Sequence, residues 1–342
     1  MTNATLTIAI DAMGGDAGPA ATLPGAARAL AAAPDLAFLL VGDELRIARY
    51  LARLPALAGA STVLHTDKAI SPGDKPSAAL RNGEGTSMRL ALEAVADGRA
   101  AAAVSGGNTG ALMALAKSVL RTLPGIHRPA IASIFPALRG QTIMLDLGAN
   151  VLVEAEHLVQ FALLGALFAQ AHTGKTLPSI GLLNVGSEPG KGPDHVRMAG
   201  QILAQLPLPG RYKGFVEGHD ITGGVVDVVV CDGYAGNIAL KTAEGVSSLT
   251  GRLFREALTG DPLSALGAAL AFLGLRRFKR RVDPRLYNGG VFLGLGGLAV
   301  KSHGGSDALG FSTAVGLAAE LARARYVQQV AEGLGKLAHA EG

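Results

Sequence analysis

The chain has 342 residues, of which 49% are hydrophobic, 17% charged and 4% aromatic, and its net charge is +4. So small a charge gives no electrostatic case for nucleic acid, and without tryptophan there is little for single-stranded bases to stack on. One cysteine, Cys231, excludes an internal disulfide and a multi-cysteine metal site.

The opening Met1-Thr-Asn-Ala-Thr-Leu-Thr-Ile-Ala-Ile10 has no basic leader and runs directly into a strand pattern, so no signal peptide is expected. No apolar run reaches the roughly 18 residues that a membrane-spanning helix needs. A cytoplasmic protein, with peripheral membrane contact as an option, is the expectation. The low charged fraction fits a chain that covers part of its surface by self-association or at a membrane.

Residues 6–10 predict a buried strand, which ends in Asp11-Ala-Met-Gly-Gly-Asp16. Residues 37–41 predict the next, ending in Gly42-Asp43, and 101–104 a third, ending in Ser105-Gly-Gly-Asn-Thr-Gly110. Residues 143–147 lead into Gly148-Ala-Asn150, and 180–183 into Asn184-Val-Gly-Ser-Glu188. Residues 225–230 lead into Cys231-Asp-Gly-Tyr-Ala-Gly-Asn237, and 298–301 into Ser302-His-Gly-Gly-Ser-Asp307. These strands are continuously apolar, and Ala- and Leu-rich helical stretches lie between them. That pattern predicts an α/β fold with a doubly wound, mostly parallel sheet covered by helices on both faces. The chain reads as a single α/β unit over 1–342; two lobes sharing one cleft, divided near 123–126 or Asn150, is the variant. Ligands of such sheets sit beyond the carboxyl ends of the strands. The Gly-plus-polar clusters all fall there, which predicts one large site built from many loops.

Segment 261–281 interrupts this rhythm. Asp261-Pro262 predicts a capped helix start, 263–275 is almost wholly apolar, and Arg276-Arg-Phe-Lys-Arg-Arg281 follows. An extra helical hairpin around 240–281 is therefore expected. Arg276, Arg277, Lys279, Arg280 and Arg281 suit an anionic lipid surface or an acidic protein. A dimer-interface helix whose C-terminal dipole is met by cations is equally consistent.

Four loops could hold an anion through backbone N–H groups at a helix start: 106–110, 186–192, 232–237 and 302–307. Any one of them could be ordinary turn chemistry; four together favour a phosphate or oxyanion site. Gly186–Gly192 is not a P-loop, since its glycine spacing is one short and Gly192 replaces the magnesium-binding hydroxyl. Gly294-Leu-Gly-Gly-Leu-Ala299 matches a dinucleotide motif as a string but precedes a strand, so a nicotinamide role is rejected. No Gly-x-Ser-x-Gly nucleophile elbow is present. Asp11 and Asp16 either bind a cation or hold the turn and cap the next helix, and the structural role is favoured. Cys231 reads as buried filler. Lys301 and His303 are two residues apart at a strand end, so in strand geometry both face the same side, where a cation and an imidazole could bind phosphate and stabilise an oxyanion.

Ile10-Asp-Ala-Met-Gly-Gly-Asp-Ala-Gly-Pro19 resembles the start of the bacterial phosphate acyltransferases of phospholipid synthesis, the PlsX-type enzymes. The resemblance continues in order through Asp74-Lys-Pro-Ser-Ala-Ala-Leu-Arg81, Ser105–Ala111, Leu145–Asn150, Gly181–Glu188 with Lys191-Gly192, Asp227–Asn237 with Lys241, and Val300-Lys-Ser-His-Gly304. The chain departs from the pattern at Gly106, after Arg81, at Leu152 and at Tyr287-Asn-Gly-Gly-Val291. The resemblance implies a fold similar to the phosphate acetyltransferases and the isocitrate-dehydrogenase-like group. It also implies a homodimer, an acyl carrier protein as donor, inorganic phosphate as acceptor, loose membrane association and no cofactor or metal. The acyl phosphate would pass to a membrane glycerol-3-phosphate acyltransferase.

Together these readings make Lys301, His303, Asn237 and Asp232 the candidate catalytic residues. Asp11, Arg81, Asn108, Thr109, Asn184, Glu188, Lys191 and Gly304 are the candidate substrate and phosphate ligands. Phosphate is already largely a dianion at neutral pH, so the protein need supply mainly position and positive charge. A short-chain enzyme using coenzyme A, a dehydrogenase on the related fold and a membrane scaffold without activity are the rival readings.

Overall fold

The structure, a computed structural model, describes residues 5–340. Strand β1 (Leu6–Asp11) leads into helix α1 (Pro19–Ala32), and β2 (Leu36–Gly42) into α2 (Glu44–Leu51) and the short α3 (Pro55–Gly59). Then come β3 (Ser61–His65), α4 (Pro76–Asn82), α5 (Ser87–Ala96), β4 (Ala102–Ser105) and α6 (Thr109–Leu120). The middle of the chain holds β5 (Ala130–Ala137), β6 (Gly140–Leu145), α7 (Ala155–Thr173), β7 (Ser179–Leu183), α8 (Asp194–Leu203), β8 (Arg211–Val216), α9 (Gly218–Gly223) and β9 (Val228–Val230). Three helices follow, α10 (Gly233–Thr259), α11 (Pro262–Leu270) and α12 (Phe272–Arg281). The chain closes with β10 (Gly290–Leu293), β11 (Leu298–Lys301), α13 (Ala308–Arg323) and α14 (Tyr326–Ala340).

The helices start where their sequence says they should. Proline occupies the first turn of α1, α3, α4 and α11, where its missing N–H costs nothing. Asp43, Asn108, Asp232, Asp261 and Asp307 accept a backbone N–H at the starts of α2, α6, α10, α11 and α13. Asp16 does not cap α1, contrary to the sequence reading; Gly18 holds that position without a side-chain bond. Small residues set the layer spacing: a Cβ on Gly25 of α1 would lie 2.8 Å from Phe311 Cβ of α13.

All eleven strands form one sheet in the order β3-β2-β1-β4-β11-β10-β5-β6-β9-β7-β8. The strands read from sequence are present, each within three residues at either end. β3, β5, β8 and β10 were not read. They are short, polar at intervals or interrupted by Pro136, so they lack the continuous apolar run of a buried parallel strand.

Two of these strands, β10 and β5, change the geometry. β3, β2, β1, β4 and β11 are mutually parallel, and so are β6, β9, β7 and β8. Between the two sets, β10 is antiparallel to both β11 and β5, and β5 is antiparallel to β6. The two sets therefore run in opposite directions. The expectation of one row of loops along one sheet edge is corrected: the loops after β6, β7 and β9 lie at ends facing away from those after β1, β4 and β11. The sets overlap at the centre, because Lys301 pairs with Gly290, Val291 with Ala132, and Ala132 with Leu145.

The expected helical hairpin is present as α10–α12. Its only buried residues are Gly233 and Gly236, in the first turn of α10. Ala239, Leu240 and Ala243 of the next two turns still pack on the core; farther out the helices leave the sheet, and Leu263, Leu270 and Leu273 are 78%, 84% and 68% exposed. Phe254 and Phe278, with ring centroids 5.6 Å apart, tie α10 to α12. Arg281 Nη2 donates to Leu138 O at 2.7 Å and pins the end of α12 to the β5–β6 turn.

Candidate active site

Three adjacent strand ends carry Asp11, Ser105 and Lys301 in one row, since Asp11 pairs with Ser105 and Ser105 with Lys301. Asp11 is buried, and both its oxygens are taken: Ser87 Oγ donates to Oδ1 at 2.7 Å and Ser105 Oγ to Oδ2 at 2.6 Å. Burial pushes the Asp11 carboxyl upward, opposed by those hydroxyls and by the N–H groups of Met13 and Gly14. Ser105 Oγ also accepts from Gly107 N at 3.0 Å, so Asp11 fixes the loop that opens α6. Glycine is required here: a Cβ on Gly14 would stand 2.5 Å from Asp11 Oδ2 and 2.9 Å from Ser105 Oγ.

Lys301 is half-buried, and burial lowers its pKa to about 8. Asp11 and Asp16 resist that shift, while Lys241 adds to it. The ammonium donates to Gly106 O at 3.3 Å and to Ser302 O. An ammonium has three donors, so one remains for an incoming anion.

The sequence did not place Lys241 near Lys301; α10 brings it there. Asn237 lies one turn earlier on the same face of that helix, and its Cβ would meet a Cβ on Gly148 at 3.5 Å. The first turn of α10 can approach because Gly236 has no side chain: a Cβ there would stand 1.8 Å from Asp146 O. Lys241 is thus close enough to act on the charge of Lys301, while Asn237 sits beside Gly148 in the loop after β6.

β11 ends at Lys301, so the strand alternation that would carry His303 onto the face of Lys301 does not extend to it. His303 is exposed, and its Nδ1 accepts from Gly305 N at 3.2 Å. Its own N–H donates to Asn288 Oδ1 at 2.9 Å. Asn288 Nδ2 donates to Ser302 Oγ, Ser306 Oγ and Gly310 O at 2.8, 3.0 and 2.7 Å. That single amide holds the loop 302–310 in place, a role no sequence pattern announced. Gly304 O accepts from Asp16 N at 2.9 Å, which joins this loop to the one after β1.

Two expected ligands are committed to the scaffold. Asn108 Oδ1 accepts from Ala111 N at 3.0 Å, and its Nδ2 donates to Pro72 O at 2.7 Å and Asp74 O at 3.1 Å. Asn184 Nδ2 donates to Lys191 O at 3.0 Å and Oδ1 accepts from Val185 N at 2.9 Å. Asp232 Oδ1 accepts from Ala235 N at 2.7 Å as the cap of α10. Thr109, Arg81, Glu188 and Lys191 are exposed. Glu188 and Lys191 belong to the loop after β7, in the oppositely directed set of strands.

The second buried carboxylate, Asp146, lies in the Leu145–Asn150 block but is not among the candidate site residues. It accepts from the N–H groups of Ile131, Ala149 and Asn150 at 2.9, 3.1 and 2.7 Å and from Asn150 Nδ2 at 2.9 Å. It stitches β5 to the end of β6. Cys231 is buried beside it; its thiol donates to Asp146 O at 3.4 Å, and burial raises its pKa well above the usual thiol value. Such a thiol is a poor nucleophile.

A family model described as "Fatty acid synthesis protein" matches residues 6–329. A phosphate acyltransferase of Rhodospirillum centenum is 51% identical over 330 residues, covering 96% of this chain and 93% of that one. One of Methylocella silvestris is 52% identical over 337 residues, covering 98% and 90%. Among solved structures, a phosphotransacetylase from Streptococcus pyogenes is similar with a TM-score of 0.62 and 18% identity, over 94% of this chain and 95% of that one. The EutD phosphotransacetylase from Staphylococcus aureus gives 0.60 and 17%, over 94% of each chain. At such identities the likeness to the solved structures concerns the fold.

Proposed function

This chain belongs to the fatty acid synthesis protein family, and from that premise we propose that it transfers a long-chain fatty acyl group from acyl carrier protein to inorganic phosphate. The acyl phosphate formed supplies glycerol-3-phosphate acylation in phospholipid synthesis. The observation that supports this most is the row Asp11–Ser105–Lys301, with Lys241 approaching it from α10. Two cations beside backbone N–H groups at the start of α6 suit a phosphate dianion. No activated nucleophile is needed: one phosphate oxygen attacks the thioester carbonyl and forms the new C–O bond. The tetrahedral oxyanion then collapses, the C–S bond breaks, and the thiolate leaves on the carrier's arm and takes a proton from water.

In this reading Lys301 and Lys241 hold the phosphate, while Asp11 keeps Lys301 charged and the α6 loop in place. His303 and the N–H groups around Gly304 face the developing oxyanion. Asn237 and Thr109 orient the thioester. Arg81 lines the approach on the side of Lys301, Glu188 and Lys191 bound it from the oppositely directed strand ends, and Asn108, Asn184 and Asp232 shape the loops on either side. The apolar stripe Val246, Leu249 and Leu253 of α10 pairs with a second copy in a homodimer. The exposed leucines of α11 and α12, with Arg276, Arg277, Lys279 and Arg280, rest on an anionic membrane surface.

The test is thiol release from palmitoyl-acyl carrier protein with and without phosphate, with hydroxylamine present to trap the activated acyl group. Phosphate-dependent release with acyl hydroxamate is the expected result. Release without phosphate would mark a thioesterase and overturn the proposal. Release from coenzyme A esters alone would overturn the carrier-protein donor.

A further inference from the structure

Helix α2 carries a group of side chains that the reaction leaves unused. Arg46, Arg49 and Arg53 recur at intervals of three and four residues, so they share one face of α2 and the turn after it. With Tyr50 they line an open hollow of about 290 Å³. All three are exposed, and none has an acidic partner or a side-chain hydrogen bond among the described residues. Five other arginines have an acidic partner, Arg89 with Glu93, Arg99 with Asp97, Arg197 with Asp194, Arg285 with Asp283 and Asp307, and Arg323 with Asp35, whereas here three without one share a single helical face. An unpaired stripe of three guanidinium groups repels itself and is relieved by an acidic surface.

Its place in the fold directs such a surface to the reaction. β2 lies beside β1, and Val41 pairs with Asp11, so α2 starts at the sheet edge that carries Asp11, Ser105 and Lys301. The Arg46 guanidinium lies against the loop after β1; a Cβ on Gly18 would be 3.8 Å from Nη2. That loop in turn holds Gly304 through Asp16 N. A partner seated on the stripe is thus one loop away from Lys301.

The chemistry favours an acidic protein over lipid. Around the stripe Leu45 is the one large exposed apolar side chain, whereas α11 and α12 present a continuous leucine-rich face next to their cations. A membrane surface rewards that second pattern. We propose that Arg46, Arg49 and Arg53 form the docking surface for the acidic carrier protein that delivers the thioester, leaving the cluster at 276–281 to the membrane. This rests on the carrier-protein donor proposed above.

The test compares the full-length wild type, R46E/R49E/R53E and R276E/R277E/K279E. Binding of acyl carrier protein is measured by calorimetry at low and physiological ionic strength. The expected result is affinity at least about tenfold weaker and less salt-sensitive for the α2 variant alone. Its kcat/KM should fall by a similar factor with palmitoyl-acyl carrier protein and stay within about twofold with palmitoyl-coenzyme A, which has no protein surface to dock. Unchanged carrier binding, a loss confined to the 276–279 variant, or equal losses with both donors would overturn the docking surface. So would a loss of anionic-vesicle binding by the α2 variant with carrier binding intact. A wild type that binds carrier but releases no thiol from either donor would sink the proposed reaction, while the binding comparison would still decide the docking surface.

Discussion

A single lysine sets much of the expected behaviour at the residue scale. Lys301 is drawn down to about 8 by burial, so its ammonium form is present below that pH and lost as pH rises through it. The kcat/KM for phosphate should therefore fall above pH about 8. The kcat limb should lie higher, because a bound dianion favours the charged lysine. Replacing Lys301 with Ala should lower kcat by roughly 10²–10³, as loss of one preorganised donor does. Asp11→Asn should act through Lys301. Asp11 raises the lysine's pKa, so its neutralisation should move the kcat/KM limb to lower pH, a shift a purely structural role would not cause. It should also cost about 1–3 kcal/mol of stability, because Ser87 and Ser105 both donate to that buried carboxylate. Urea unfolding of the variant gives the second figure and a pH–rate profile the first.

Helix α10 is the element on which the candidate site depends. It enters against Asp146 O at Gly236, where even one methyl group has no room. Gly236→Ala should destabilise by about 3 kcal/mol or more, visible as a lowered unfolding midpoint, since backbone atoms rather than a movable side chain oppose it. Activity should fall further than stability explains, because displacing α10 withdraws Lys241 and Asn237. The outer part of the same hairpin should respond in the opposite way. Leu270 is fully outside the core, so L270E should leave thermal stability within about 0.5 kcal/mol. Sedimentation with anionic vesicles should then show reduced binding; unchanged binding would remove the tip of the hairpin from the membrane contact.

The whole molecule is one sheet wound from two oppositely directed parallel sets, and its candidate site forms where they overlap. Only 17% of its residues are charged, while a 27-residue helix is left almost wholly unburied. A lone chain with such an apolar face would tend to associate. Sedimentation equilibrium should therefore give twice the mass of one chain, and L249E/L253E should give a single chain. A wild type that remains single at micromolar concentration would refute the proposed dimer.

The sequence by itself determined what depends on neighbours along the chain. Continuous apolar runs fixed which strands are buried on both faces, and the Gly and Asp clusters after them fixed where helices start. The break at 261–281 marked the unburied hairpin, and the ordered motifs from Asp11 to Gly304 carried the family. What the sequence left open depends on partners far apart in the chain. Ser87 and Ser105 meet Asp11 across 76 and 94 residues, and no local pattern encodes that pairing. Lys241 acts on Lys301 from a helix that starts after β9, in the oppositely directed set of strands, so only the tertiary structure brings the two charges into range. β10 is four residues long, too short for its own periodicity to speak. Whether His303 followed Lys301 onto one face hinged on where β11 stopped, which its neighbours in the sheet decide by hydrogen bonding. Local periodicity sets the faces of elements; only long-range register and strand direction set which faces meet.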